Sequence, residues 1–266
     1  SLGMTEQESL PTLLEALVRE TSIPWFRMLY IYSAGITPRL LELVATEPRI
    51  LPYFDMPMQH GSDAVLKRMR RPERNRTIRE KVHRIREVVS DVAIRTTCIV
   101  GFPGETDADF ATLLELLEDV QFDRVGAFTY SAQEGTAAGA MVDDVPESVK
   151  QERLERLGEL QRLITGERFE QRLGLTVRAM VDRVDDEKIE ARTIWQAHEI
   201  DGTTSVRGDR SWVLAVGDRL DVRVEGVTED GDLTATFVGG IDRSPRTQHL
   251  APPKMLPIAI ASSYGR

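Results

Sequence analysis

The sequence has a single cysteine, Cys98, among its 266 residues, and it lacks long apolar runs. One thiol excludes a disulfide-stabilised scaffold and favours a reducing compartment, so a cytoplasmic location is expected. No apolar run approaches the ~18 residues that a membrane-spanning helix needs, so no membrane partner is expected. The four histidines are scattered without metal-ligand spacing, and no metal site is predicted.

The most informative segment is a strand–loop–helix junction in the middle of the chain. A β-branched run ends at Val100 and is followed by Gly101-Phe102-Pro103-Gly104-Glu105, the glycine loop. Thr106 and Asp109 then form a predicted N-cap and capping box for a helix. Such junctions bind ligands in α/β enzymes, because glycines permit close approach and a helix N-terminus offers unpaired N–H groups. A turn needed only for packing is the alternative.

The hydrophobic pattern divides the chain into two parts. Up to about residue 170, strands predicted at 26–32, 53–58, 93–101 and 124–130 alternate with helices at 37–47, 62–69, 77–89, 106–120 and 146–173. This alternation implies a parallel α/β sheet. From Gly174 the period changes from 3.6 to 2, and short strands between glycine turns predict a small antiparallel β-barrel. Residues 242–266 are predicted to be a disordered tail.

Three further segments are informative through their order and spacing relative to the glycine loop. They are the runs 30–37, 53–63 and 128–136. Together these segments resemble the later half of the radical S-adenosylmethionine barrel of methylthiotransferases, and the resemblance extends over about residues 10–240. The predicted second part is similar to the TRAM domain of the same enzymes.

Two details resemble one branch of that family. Gln59-His60, followed after one small residue by Ser62, and the run Glu134-Gly135-Thr136 are similar to the branch that modifies an aspartate of ribosomal protein S-twelve, the RimO type. The transfer-RNA branch, the MiaB type, usually has Gln-Ser-Gly-Ser at the first place. The resemblance implies a transferase that replaces a C–H hydrogen with a methylthio group, using S-adenosylmethionine and two [4Fe-4S] clusters.

Members of the family hold those clusters through several cysteines, and this chain has only Cys98. Because Cys98 lies in the middle of a predicted strand, it is expected to be a buried, unreactive thiol. We therefore expect a C-terminal portion of a longer enzyme, inactive alone and ligating neither cluster. Residues 1–170 would be a partial radical SAM (β/α) barrel lacking its first strands, residues 171–241 a TRAM-like β-barrel, and residues 242–266 the tail.

The resemblance also places contacts to S-adenosylmethionine at the ends of the strands. The predicted cofactor-binding residues are Gln59, His60, Ile99, Gly101, Phe102, Gly104, Glu105 and Tyr130. Two of them have alternative roles: His60 as a hydrogen-bonded structural histidine, and Glu105 as a charge favouring the start of its helix. If Asp55 points into the barrel, it must be paired or close to the chemistry. No catalytic residue is predicted.

Charge suggests the partner. Residues 172–240 carry nine Lys/Arg against fourteen Asp/Glu, a net charge of −5, which favours a basic ribosomal protein over transfer RNA. The alternative is that this part is acidic only because the whole chain is, at −9. Residues 67–86 carry ten Lys/Arg against two Glu, which is typical of a solvated surface, or of contact with ribosomal RNA or an acidic partner near the barrel mouth. A transfer-RNA methylthiotransferase and a non-catalytic binding module remain the rival functions.

Overall fold

The computed structural model describes residues 9–185, 188–208 and 214–243. The first part comprises helices α1 (Leu10–Glu20), α2 (Pro38–Thr46), α3 (Asp63–Arg68), α4 (Asn75–Val88), α5 (Asp107–Val120) and α6 (Glu147–Glu170), and strands β1 (Phe26–Met28), β2 (Ile50–Asp55), β3 (Ala93–Val100) and β4 (Arg124–Thr129). Nearly all of the predicted tail lies outside the described residues. Within them, no helix is long and apolar enough to cross a bilayer.

The four strands form one parallel sheet in the order β1-β2-β3-β4, which confirms the predicted α/β class. On β3, Ile94, Cys98 and Val100 are buried in the core shared with the helices. Their neighbours Thr97 and Ile99 lie on the other face and are half-buried. Cys98 is fully buried, and burial raises the pKa of its thiol, so the sulfur stays protonated at neutral pH.

The first two strands differ from their predicted positions. The predicted strand 26–32 ends at Met28, because Tyr30 adopts a left-handed backbone conformation with φ 55° and is 72% exposed. The second strand begins at Ile50 instead of residue 53, since Ile50 pairs with Phe26 of β1. Pairing between strands thus extended β2 beyond what the local pattern indicated.

The predicted helix starts at Thr37, Ser62 and Thr106 are confirmed. The Thr37 hydroxyl accepts from the Leu40 N–H at 3.2 Å, and the Ser62 hydroxyl accepts from the Val65 N–H. At α5 the capping box forms as expected, with Thr106 and Asp109 each accepting from the other's backbone N–H.

The second part is a closed five-stranded barrel of β5 (Thr176–Val184), β6 (Ile189–Thr193), β7 (Thr204–Arg207), β8 (Arg219–Val227) and β9 (Leu233–Asp242). Its order is β5-β6-β7-β9-β8, and the β7–β9 pair is parallel whereas the other pairs are antiparallel. A closed ring with an odd number of strands cannot alternate direction throughout, so one parallel pair is unavoidable.

The barrel packs against the amino-terminal ends of the sheet strands. Leu51 and Ala93, near the starts of β2 and β3, share a core cluster with Trp195 and Phe169. The Trp195 indole N–H donates to the Asp91 carbonyl at 2.8 Å. The carboxyl ends of the strands, where parallel α/β folds place their ligands, lie opposite this contact.

Candidate functional site

Gln59 links the end of β2 to β3. Its N–H donates to the Thr97 carbonyl and its carbonyl accepts from the Ile99 N–H, both at 2.8 Å. Its φ of 75° is a left-handed conformation that non-glycine residues seldom adopt outside special sites. This pairing holds Gln59 beside Ile99 at the carboxyl end of the sheet.

A cleft of about 220 Å³ opens at this place. It is lined by Gln59, Arg68, Met69, Arg70, Arg71, Ile99, Phe102, Ala137 and Ala138. Three residues predicted from the sequence, Gln59, Ile99 and Phe102, are therefore brought together on one surface. The cleft combines an apolar wall with one amide and several cations, which is typical of a small-molecule site.

The N–H groups of the glycine loop are bonded within the protein. Glu105 Oε2 accepts from the N–H groups of Gly101 at 2.7 Å and of Phe102 at 3.1 Å. The Gly104 N–H donates to Asp144 Oδ1 at 2.6 Å. These three loop amides are therefore not free to donate to a ligand, because carboxylates of the same chain accept from them.

Gly101 is required by packing as well as by conformation. Its φ is 72°, and a Cβ added there would collide with the side chain of Lys150 from α6. Lys150 is buried, and its ammonium bonds Asp143 at 2.6 Å and lies 5.5 Å from the centre of the Tyr130 ring. At Gly104 the φ is 76° but the nearest atom to an added Cβ is 3.5 Å away, so conformation alone requires glycine there.

His60 and Glu105 lie together beneath the glycine loop, and neither side chain reaches the solvent. His60 Nδ1 accepts from the Ser62 N–H at 2.9 Å, which places the ring proton on Nε2. That Nε2 lies 3.5 Å from Glu105 Oε2 without the geometry of a hydrogen bond. The other carboxylate oxygen of Glu105 pairs with Arg153 at 3.1 Å. These contacts favour the structural alternative for His60, and they give Glu105 a structural role other than the expected one, because it holds the glycine loop.

Tyr130 supports the wall of the cleft. Its hydroxyl donates to the Ala138 carbonyl at 2.9 Å, and its ring packs edge-on against Phe102 with centroids 5.1 Å apart. Tyr130 is itself buried and does not line the cleft.

Asp55 is paired, which is one of the two arrangements expected for it. One carboxylate oxygen bonds Arg95 at 3.0 Å, and the other accepts from the Tyr30 N–H at 3.1 Å. Burial opposes the charge of Arg95, but Asp55 and then Asp201 outweigh it and raise the pKa of Arg95. Asp55 therefore fixes the turn that follows β1.

The sequence predicted a functional contact for the basic run 67–86 as one alternative, but Arg68, Arg70 and Arg71, which make the basic side of the cleft, were not among the predicted cofactor-binding residues. The signal was present, since the basic run 67–86 follows directly on the segment of Gln59. Only Arg68 is bonded to the loop, through the Gly104 carbonyl at 2.9 Å.

Comparison with known proteins shows which class of protein this chain belongs to. The model of the radical SAM superfamily matches residues 1–117, and that of the TRAM domain matches residues 173–238. A solved structure, coproporphyrinogen III oxidase (HemN) from Escherichia coli, aligns with a TM-score of 0.48 and 18% identity over 58% of this chain and 36% of its own, too distant to inform function. The chain is a radical SAM protein with a TRAM domain.

Its curated relatives show which family within this class the chain belongs to. The chain is 41% identical to the ribosomal protein uS12 methylthiotransferase RimO of Syntrophotalea carbinolica, over 83% of this chain and 49% of that protein. It is 44% identical to RimO of Nitrosomonas eutropha, over 75% of this chain and 44% of the relative. The chain belongs to the RimO type of the radical SAM methylthiotransferase family, and it spans about half the length of these curated relatives.

The two cofactors of the family fit this chain differently. The cleft offers apolar surface from Ile99, Phe102 and Met69 for an adenine ring and the Gln59 amide for its polar edge, so its residues fit S-adenosylmethionine. The residues do not fit an iron–sulfur cluster. Cys98 is the one cysteine of the chain, and the described residues hold no group of three metal-ligating side chains.

Proposed function

We propose that this chain is the S-adenosylmethionine-binding and substrate-facing portion of a methylthiotransferase that modifies an aspartate of ribosomal protein uS12. In this proposal residues 1–170 are part of the radical SAM barrel and residues 171–241 are the TRAM domain. The observation that carries it is the 41% identity to a uS12 methylthiotransferase across 83% of this chain. The position of the cleft at the carboxyl ends of β2 and β3 supports it.

The predicted site residues take two roles in this proposal. Gln59, Ile99 and Phe102 contact the cofactor directly, and Gly104 allows the loop to approach it. Gly101, His60, Glu105 and Tyr130 act indirectly, because they are buried or bonded so as to shape the loop and the cleft wall. When bound, the cofactor supplies the radical chemistry by which a C–H hydrogen is replaced.

We assign both iron–sulfur clusters to segments outside this chain, so that the chain alone is inactive. The support is its single cysteine, Cys98, which is buried and protonated. Anaerobic reconstitution of the isolated chain with iron and sulfide is expected to leave it colourless. About four irons per chain with cluster-type absorption would contradict this assignment.

The acidic TRAM domain is proposed to face the basic uS12 protein, in the cytoplasm where ribosomes lie. Its net charge of −5 over residues 172–240 favours a cationic partner and disfavours transfer RNA. Binding to uS12 should weaken as salt is raised, since screening reduces the attraction. Tight binding of transfer RNA at physiological salt would contradict this. Ribosomal RNA is a second proposed contact, through exposed basic residues of α4 such as Arg76 and Arg84.

The cofactor site is tested by equilibrium binding of S-adenosylmethionine to the chain. Gln59→Asn shortens the side chain while keeping a residue type that tolerates positive φ, so affinity should fall about five- to tenfold for one lost hydrogen bond. The matched control is Gln121→Asn, at the C-terminus of α5, where φ is 51° and the side chain does not line the cleft. Equal affinities for all three proteins would remove Gln59 from the site.

The substrate is tested in cells. Deleting the gene should abolish the methylthio group on uS12, and reintroducing it should restore the modification, as read by mass spectrometry of ribosomal proteins. Loss of a methylthio group from transfer RNA, with uS12 unchanged, would contradict the proposal and indicate the MiaB-type function.

A further inference from the structure

The turn after α3 contains an arginine where helices usually place glycine. The N–H groups of Arg70 and Arg71 donate to the carbonyls of Lys67 at 3.0 Å and Leu66 at 2.8 Å, the pattern of a Schellman C-cap. Arg70 occupies the left-handed position of this cap with φ 57°. A side chain at such a position costs conformational free energy that glycine would avoid. Backbone strain of this kind at the edge of a site points to a functional side chain.

Within the part of the chain that the structure describes, the guanidinium groups of Arg70 and Arg71 have no anionic partner. Arg68, the third arginine of the cleft, lies 3.6 Å from the Asp109 carboxylate and donates to the Gly104 carbonyl. By contrast, among the residues that the structure describes, neither Arg70 nor Arg71 has a side-chain hydrogen bond or ion pair. Arg71 lies 6.0 Å from the centre of the Tyr32 ring. The cleft thus carries two positive charges that no described carboxylate neutralises.

We propose that Arg70 and Arg71 form a carboxylate-binding site at the rim of the cleft, and that its ligand is the side-chain carboxylate of the substrate aspartate. Planar guanidinium groups match carboxylates in geometry and charge. Arg70 is exposed and Arg71 half-buried, so both are accessible to a residue presented by a second protein. This inference rests on the proposed function, and it explains how an aspartate would be selected over a neutral residue.

The methionyl group of S-adenosylmethionine is a second possible source of a carboxylate. The exposure of Arg70 favours the substrate, because a cofactor bound against Ile99 and Phe102 lies inside the cleft and a protein substrate must enter past the rim. Binding experiments can distinguish the substrate carboxylate from the cofactor carboxylate, since each ligand has an analogue that lacks it.

The experiment measures binding of purified uS12, and of uS12 with asparagine in place of the substrate aspartate, to the chain and its variants. Wild type should bind the aspartate form about tenfold more tightly, as expected for a charge-assisted hydrogen bond. Arg70→Gly and Arg71→Gln should reduce this preference to less than about twofold. Arg39→Gln, an exposed arginine of α2 paired with Glu15 at 2.9 Å, is the matched control and should keep it. In parallel, the affinities for S-adenosylmethionine and methylthioadenosine are compared, and their ratio should not change in any variant.

Arg70→Gly also gives a readout that separates function from folding. Because glycine suits a φ of 57°, this variant should melt at a higher temperature than wild type while losing the preference for aspartate. An undiminished preference in the Arg70 and Arg71 variants would overturn the inference, and so would wild type that fails to distinguish the two forms of uS12. If the Arg70 and Arg71 variants lost only the preference for S-adenosylmethionine over methylthioadenosine, the arginines would be assigned to the cofactor instead. In each of these cases the proposed function is still judged by the modification of uS12 in cells.

Discussion

Arg153 of α6 and Glu105 of the glycine loop form a buried ion pair, with 3.1 Å between Nη1 and Oε1. The second oxygen of Glu105 accepts from the N–H groups of Gly101 and Phe102. Through Glu105, helix α6 therefore holds the loop that borders the cleft. Arg153 thus holds the loop in place and does not itself line the cleft.

Arg153→Met should lower the free energy of unfolding by about 3–5 kcal/mol, because Glu105 would remain buried without its partner charge. Urea denaturation measures the change. The matched control is Arg156→Met: Arg156 also lies over the Phe110 ring, but its ion pair with Glu152 is exposed. Its cost should stay below about 1 kcal/mol. Similar costs for the two variants would show that the buried pair contributes little.

The two glycines of the loop should differ in their tolerance of alanine. Gly104→Ala should cost only the left-handed conformation, about 1–2 kcal/mol. Gly101→Ala should cost about 1–3 kcal/mol more, because its Cβ would also displace the buried side chain of Lys150. Thermal and urea unfolding of both variants test this. A Gly101→Ala variant as stable as Gly104→Ala would mean that Lys150 moves away without cost.

Local signals were predictable from the sequence. The caps at Thr37, Ser62 and Thr106 depend on residues within three positions, and they formed as the pattern indicated. The alternation of strands and helices gave the parallel sheet, because each crossover is encoded in one continuous segment.

Contacts between distant residues were not predictable. Gly104 and Asp144 are 40 positions apart, and Glu105 and Arg153 are 48 apart, so no local pattern shows that the Gly104 N–H is already bonded or that Glu105 has a buried partner charge. The left-handed conformations of Gln59 and Arg70 were also hidden, since neither residue is glycine. Three of the eight predicted site residues, Gln59, Ile99 and Phe102, line the cleft, because strand ends could be located while the buried supporting contacts could not.

Tyr53 should remain un-ionised at alkaline pH until the protein unfolds. Burial, and then the Asp201 carboxylate that accepts its hydrogen bond, raise the pKa of Tyr53 far above its usual value. Because the folded-state pKa is raised, this group contributes stability below about pH 10, and the contribution is lost as the pH rises above that value. The phenolate absorbance of folded wild type and of Tyr53→Phe should therefore be equal. Both proteins unfolded in urea are the control, and there wild type should show the higher phenolate absorbance, because Tyr53 is then free to ionise.

Asp109 should stabilise the fold at neutral pH and lose this effect in acid. Burial opposes its charge, but hydrogen bonds from Ser62 and Thr106 outweigh burial and lower the pKa of Asp109. Since the folded-state pKa is lowered, the contribution is present above the ordinary aspartate pKa of about 3.9 and is lost as the pH falls through the folded-state pKa. Asp109→Asn should cost about 1 kcal/mol at pH 7, and its difference from wild type should shrink as the pH falls below about 4.

Urea unfolding between neutral and acidic pH measures this difference. Glu115→Gln, an exposed change on the same helix, is the control and should track wild type at every pH, because the described residues give Glu115 no ion pair to lose. A constant difference between wild type and Asp109→Asn from pH 7 to pH 3 would show that the asparagine fails because its amide NH2 cannot accept hydrogen bonds, and that the charge of Asp109 is not what stabilises the cap.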